Sequence, residues 1–126
     1  QRCLDMTCDF VLEREQFGRK IGSFQSIKHR LANMMVLVES ARSASYYASC
    51  MAGTNSQEFE ETVSIAKSYC SEAFFKCAGD AIQLHGGVGF TWEYDTHLFF
   101  KRAKSSEIYF GDPSFHKNKI SNILGL

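Results

Sequence analysis

Proline is almost absent from this chain: Pro113 is the single one among 126 residues. That excludes proline-rich linkers and polyproline segments. No apolar stretch approaches the roughly 18–20 residues that a membrane-crossing helix needs. Net charge is zero, from 14 basic and 14 acidic residues. A balanced chain carries no electrostatic footprint for nucleic acid and none for an anionic membrane surface. No segment alternates apolar and polar residues long enough to read as a strand. The five cysteines (Cys3, Cys8, Cys50, Cys70 and Cys77) form no Cys-x-x-Cys pair, which argues against a zinc ribbon or a dithiol redox site. They read as small core hydrophobes. Their odd number favours a reducing compartment.

What is present is helical periodicity and 44% hydrophobic residues, enough for one core. Leu4, Cys8 and Val11 give residues 1–14 an amphipathic face, the tail of a helix. Residues 18–23 read as a loop with Ser23 as the next N-cap. Over residues 24–53 a stripe of Ile27, Leu31, Met34, Val38, Ala41 and Ala48 predicts a helix roughly 45 Å long, closed by Gly53. A turn at 54–56 follows, with Asn55 and Glu58 resembling a capping box. Residues 58–85 carry a seam of Val63, Ala66, Cys70, Ala73, Cys77, Ala81 and Leu84, mostly small, which lets a neighbouring helix come close. Thr91 predicts the cap of a helix at 92–104. Asp112-Pro113 predicts another start, cap then first-turn proline, for a helix at 113–124. Two long helices with short connections give an all-α, up-and-down four-helix bundle. The chain has no signal-peptide pattern and opens inside a helical pattern, so it is expected to be part of a longer protein.

Three constellations carry chemistry. Arg14 stands at a helix C-terminus, followed by Gln16, Phe17 and Gly18. It can compensate the helix dipole, or it can serve as a fork for a phosphate or carboxylate. Phe17, flanked by glycine, can be a hydrophobic plug or a stacking surface. At 83–90, Gln83 and three glycines (Gly86, Gly87 and Gly89) end a helix and permit close backbone approach; this is either a simple cap or a ligand contact. At 108–113 a helix exit, a glycine turn and a helix entry succeed one another, and Asp112 reads as a cap. The four histidines are scattered, with no i, i+4 pair for a metal. Only His85, beside the glycines, draws notice. His29 reads as helix surface. Glu60-Glu61 and Lys117 to Lys119 read as solvated faces.

In order and spacing these blocks resemble the C-terminal domain of the acyl-CoA dehydrogenase family. The matching residues are Glu13-Arg14-x-Gln16-Phe17-Gly18, Ile21, Phe24-Gln25, Leu31-Ala32-x-Met34 and Ala41-Arg42. Then follow Ala81-Ile82-Gln83-x-His85-Gly86-Gly87-x-Gly89-Phe90-Thr91-x-Glu93, and finally Lys101-Arg102-Ala103-Lys104 with Ile108-Tyr109. The resemblance covers essentially the whole chain. It implies a C-terminal bundle domain over residues 1–126, its first helix cut short and its N-terminal helical and middle β domains absent. It implies homo- or heterotetramers assembled through the bundle, with FAD bound across a subunit interface. The cofactor-binding set it implies is Arg14, Gln16, Phe17, Gln25, Gln83, Gly86, Gly87 and Asp112. Arg14 would meet the FAD pyrophosphate of a neighbouring subunit, and Phe17 and Gln25 would line the adenosine. Gln83, Gly86 and Gly87 would supply amide and backbone contacts.

The chemistry implied is α,β-dehydrogenation of an acyl-CoA thioester to 2,3-enoyl-CoA, with electrons passing to a flavoprotein acceptor. The place implied is the bacterial cytoplasm or, second, the mitochondrial matrix. One departure stands out. The family's Tyr-Glu-Gly-Thr run is here Tyr109-Phe110-Gly111-Asp112, so Phe110 occupies the usual base position and Asp112 the threonine position. No catalytic residue is therefore assigned. Three explanations are open: a base upstream of Gln1, a non-catalytic partner subunit of a heteromeric dehydrogenase, or a relative with different flavin chemistry. Glu107 and Asp112 are poor substitutes, because a shift along the chain misplaces the carboxylate.

Overall fold

A computed structural model describes residues 1–53 and 57–126. The expected turn at 54–56 and its capping box lie outside the described residues. Five α-helices are present among the described residues: α1 (Arg2–Glu13), α2 (Gln25–Met51), α3 (Gln57–His85), α4 (Thr96–Ile108) and α5 (Pro113–Ile123). The chain is all-α, as expected, apart from a two-residue hairpin noted below.

Cross-helix contacts fix the direction of each element. Cys77 meets the Met34 carbonyl and Cys70 the Ala41 carbonyl, so α2 and α3 run antiparallel. Phe10 stacks on His85, while Gln1 bonds Arg42, so α1 runs along α3 and against α2. Phe75 packs on Phe100, and Lys67 reaches Ser106 and Glu107, so α4 runs against α3. The four helices alternate up and down. α5 lies on α3 as well, through exposed pairs from Lys117 to Glu72 and from Lys119 to Glu60. Both lysines and Glu60 are expected from the sequence to be solvated. They are paired, but such exposed pairs contribute only about 0–1 kcal/mol.

The core gathers on α3. Met34 of α2 is fully buried, with Ile27, Leu31 and Val38 packed against the same cluster. The expected α3 seam is buried at Ala66, Ala73, Cys77, Ala81 and Leu84, but Val63 at its far end is 37% exposed. Ala78 and Ile82, outside that seam, are buried too. α3 has neighbours on two sides, and a single-stripe reading finds only one of them. Burial pushes the Cys3 thiol up to about 11 and raises Cys70 and Cys77 as well. These thiols behave as core residues rather than nucleophiles.

Three local expectations need correction. Ser23 does not cap α2: its hydroxyl donates to the Lys20 carbonyl at 2.7 Å, and Phe24 is the N-cap residue. Thr91 does not start α4, which begins at Thr96 after Asp95. The Thr91 hydroxyl donates instead to the Val88 carbonyl at 2.8 Å, and a 3-10 turn spans Gly86–Phe90. The segment 18–23, expected as a loop, instead holds the second strand of a hairpin, Glu15–Gln16 against Arg19–Lys20, and a 3-10 turn over Ile21–Ser23. The cap at Asp112 is as expected. Its carboxylate accepts from the Phe115 N–H at 2.7 Å, with Pro113 in the first turn.

Candidate functional site

α1 ends because Arg14 turns extended, with ψ at 126°. Its N–H still donates to the Phe10 carbonyl at 2.9 Å, and its own carbonyl accepts from Ile21 N–H at 2.9 Å. Between those bonds the chain folds back on itself. Phe17 and Gly18 both have positive φ, 56° and 77°. That is the signature of a two-residue hairpin turn matched to strand twist. Gly18 adopts it freely; a phenylalanine does not.

The hairpin sorts its cations. Lys20 pairs with Glu15 at 3.0 Å and donates to the Glu13 carbonyl at 2.9 Å. Arg19 lies over the Phe24 ring at 3.9 Å. The Arg14 side chain is exposed and pairs with no carboxylate among the described residues. Phe17 is 90% exposed and only edges Phe24, at 6.1 Å. Gln16 and Gln25 are exposed on the same segment. The segment thus carries an exposed guanidinium fork and an exposed aromatic face three residues apart.

The end of α3 lies at the same end of the bundle. Gln83 is exposed and lines one groove with Ser26, Ile27 and Arg30, next to Gln25 in the first turn of α2. It also lines a second groove with Gly79, Gly86, Phe90 and Phe100. The glycines divide their work. Gly86 has φ +65°, which ends the helix. A Cβ at Gly89 would stand 2.9 Å from the Ile82 carbonyl, so that glycine is demanded by packing. Gly87 meets nothing within 4 Å of a built Cβ. Nothing within the chain crowds position 87, and it and Gly86 leave backbone open to an approaching molecule.

Phe110 and Asp112 lie elsewhere. α4 separates them from the glycine turn by about 20 Å of helix. Their own turn is held firmly. Lys67 Nζ donates to the Ser106 and Glu107 carbonyls at 3.1 and 3.2 Å and to Ser71 Oγ at 2.8 Å, closing the end of α4. His116 Nε2 donates to the Phe110 carbonyl at 2.9 Å. Phe110 sits at φ +63°, 92% exposed. The two non-glycine residues with positive φ among those described are thus Phe17 and Phe110, each a bulky ring held outward. Lys67 and His116 have no sequence signal beyond ordinary helix polarity. We expect Lys67→Met to cost about 1–3 kcal/mol in a denaturant melt, because it strands carbonyls at the end of α4.

The predicted residues therefore form two groups. Arg14, Gln16, Phe17, Gln25, Gln83, Gly86 and Gly87 share one end of the bundle; Asp112 and Phe110 do not join them within one chain. The groove floored by Cys70, Ala73 and Cys77 beside the start of α1 contains none of them. No group of three or more His, Cys, Asp or Glu suited to a metal occurs among the described residues. No described helix is long and apolar enough to cross a membrane.

The described residues thus form an up-and-down helical bundle with a polar, glycine-opened end. Comparison with known proteins makes that specific. The sequence profile described as acyl-CoA dehydrogenase, C-terminal domain, matches residues 1–125. The chain belongs to that family. It is 41% identical over 112 residues to acyl-CoA dehydrogenase IpdE2 of Mycolicibacterium smegmatis, covering 89% of this chain and 34% of the relative. Butyryl-CoA dehydrogenase from Megasphaera elsdenii superposes with a TM-score of 0.93 at 29% identity, covering 98% of this chain and 32% of that one. The FAD complex of PigA superposes with a TM-score of 0.92 at 30% identity, over 99% of this chain and 32% of that one. The chain thus spans about a third of the length of the relatives it matches.

Proposed function

We propose that this chain is the FAD-binding and assembly domain, residues 1–126, of an acyl-CoA dehydrogenase-like flavoenzyme. The whole protein would oxidise acyl-CoA thioesters to 2,3-enoyl-CoA, as a homo- or heterotetramer built through the bundle. Its electrons would pass to a flavoprotein acceptor. One observation carries the reading: an exposed Arg14 with no carboxylate partner among the described residues stands three residues before Phe17, a bulky residue held at positive φ with its ring in solvent. A conformation that costs of order 1–3 kcal/mol, in a residue whose ring is 90% exposed and only edges Phe24, points to use outside its own chain.

The residues present fit the cofactor. Arg14 offers a fixed fork of donors to a pyrophosphate. Phe17 offers a flat apolar face to an adenine ring. Gln25 and Gln83 offer amides that donate and accept, and Gln16 lies alongside. Gly86 and Gly87 let backbone come within hydrogen-bonding reach. Asp112 belongs to the set by position, its carboxylate being engaged with the Phe115 N–H. FAD, when bound, supplies the two-electron oxidant for the Cα–Cβ bond. A tetramer would bring the Arg14 end of one copy toward the 109–112 turn of another, which suits two groups separated within the chain. Saturable quenching of flavin fluorescence as full-length apoprotein is added tests the reading; flavin that stays free at every protein concentration would contradict it.

A second reading has its own observation. A non-catalytic partner subunit of a heteromeric dehydrogenase needs the cofactor contacts and the assembly surface but no base. Phe110, at the family's base position, can take no proton. Either way Phe110 has no acid–base role. Phe110→Leu should keep any acyl-CoA-dependent dye reduction by the full-length complex within about twofold, whereas loss of a true general base costs about 10²–10⁴. A loss of that size in the leucine variant would overturn this assignment.

A further inference from the structure

His85 sits between the two halves of the FAD-facing end. Its residue is 4% exposed. The ring stacks on Phe10 of α1 at 4.2 Å and 21°, and meets Tyr94 edge-on at 5.0 Å. Phe10 and Tyr94 also meet edge-on, at 5.3 Å, so the three rings form one cluster. Nδ1 donates to the Ala81 carbonyl at 2.7 Å, which makes it the protonated nitrogen of the neutral ring. Nε2 is buried with no hydrogen-bond partner. The backbone of Gly89 closes on the same side chain, 3.1 Å from His85 Cβ to a built Cβ.

Two chain ends meet on this ring. One turn after Phe10, α1 delivers Arg14. Two residues before His85, α3 presents Gln83, and one residue after it Gly86 breaks the helix. We propose that His85 is a positioning residue: while neutral, it locks the Arg14 end of α1 to the Gln83–Gly86 end of α3 in the arrangement that binds FAD. The proposal rests on the FAD reading above.

The electrostatics give it a sign. Burial pushes the imidazole below its ordinary value of 6.5, and the bond to the Ala81 carbonyl offsets only part of that. Tyr94 is the titratable group facing the ring. Among the described residues, no charged side chain of α1, α2, α3 or α4 contributes to the shift. A proton on Nε2 would be a buried charge with no acceptor. A depressed histidine leaves the native state binding fewer protons than the unfolded chain. Its contribution to stability is therefore present above about 6.5 and is lost as pH falls below that value. The locked arrangement would go with it.

The test titrates FAD into full-length protein between about pH 5 and 8, the range where histidine changes charge. Wild type is compared with His85→Phe and His85→Ala, and each apoprotein's unfolding midpoint is measured in parallel. We expect wild-type affinity to fall about tenfold toward the acid end, a loss of about 1.4 kcal/mol of binding. His85→Phe keeps a ring on Phe10 but cannot titrate, and its affinity should stay within about twofold across the range. His85→Ala removes the lock and should bind about tenfold more weakly even at the alkaline end. If the phenylalanine variant does not fold, His85→Gln, which keeps a donor for Ala81 without a titrating ring, should show the same flat profile. Superimposable profiles for wild type and the non-titrating variant would overturn the proposal, as would a folded alanine variant with wild-type affinity. Wild type that binds no FAD at any pH removes the FAD reading itself, and this proposal with it.

Discussion

Arg14→Ala in the full-length protein should weaken FAD binding by about ten- to a hundredfold, the worth of a hydrogen-bonded charge at a phosphate. Its unfolding midpoint without FAD should hardly move. Arg19 is spent on the Phe24 ring and Lys20 on Glu15 and the Glu13 carbonyl. The Arg14 guanidinium holds nothing comparable among the described residues. Its backbone bonds to Phe10 and Ile21 survive in alanine, so the hairpin survives too. Surface substitutions of this kind usually stay within about 0.5 kcal/mol. A large loss of flavin with unchanged stability is the mark of a ligand contact. Unchanged flavin affinity would take Arg14 out of the site. A large fall in stability would mean that it is a fold residue, held at the helix end by the dipole instead.

Met34→Ala should have the largest effect on stability, about 2–5 kcal/mol in a denaturant melt. Met34 is the largest fully buried side chain, at 0% exposure. It lies in the cluster where α1, α2, α3 and α4 meet, with Leu4, Cys77, Ala78 and Ala103. Cys77, Ala78 and Ala103 of that cluster are too small to reach into the space that Met34 fills. Alanine there leaves a cavity that the bundle cannot close. A loss under about 1 kcal/mol would mean that the four helices do not share this core.

Much of this architecture was legible, and for identifiable reasons. The α2 stripe through Ile27, Leu31, Met34 and Val38 reads cleanly because α2 packs on the bundle with one face. The α3 seam was half legible. Ala78 and Ile82 also lie buried, since α3 has partners on two sides. Asp112-Pro113 was legible because its signal is wholly local: a carboxylate reaching the Phe115 N–H. Thr91 carried a similar signal and misled. Its hydroxyl turned back to Val88, and the chain used 91–95 to bring Tyr94 onto His85 and Phe10. The hairpin at 15–20 escaped because two-residue strands are too short to show alternation.

The candidate site divides in the same way. Arg14, Phe17, Gln83 and the glycines can be named from their order. Which cation is free cannot, because that depends on where Arg19 and Lys20 fold back. Which glycine is spare cannot either. Gly86 answers to a positive φ and Gly89 to a carbonyl at 2.9 Å, while Gly87 answers to nothing in the chain. His85 was noticed only for its neighbours in sequence. Its burial beneath Phe10 is a fact of tertiary packing.

The central claim is that the Arg14 end of this bundle holds the phosphates of FAD. The most direct test is a crystal structure of the full-length protein with FAD bound. The Arg14 guanidinium should lie within about 3 Å of a pyrophosphate oxygen, with Phe17 against the adenosine and Gln83 and Gly86 on the same cofactor. Bound FAD lying away from Arg14, Phe17 and the glycine turn would contradict it.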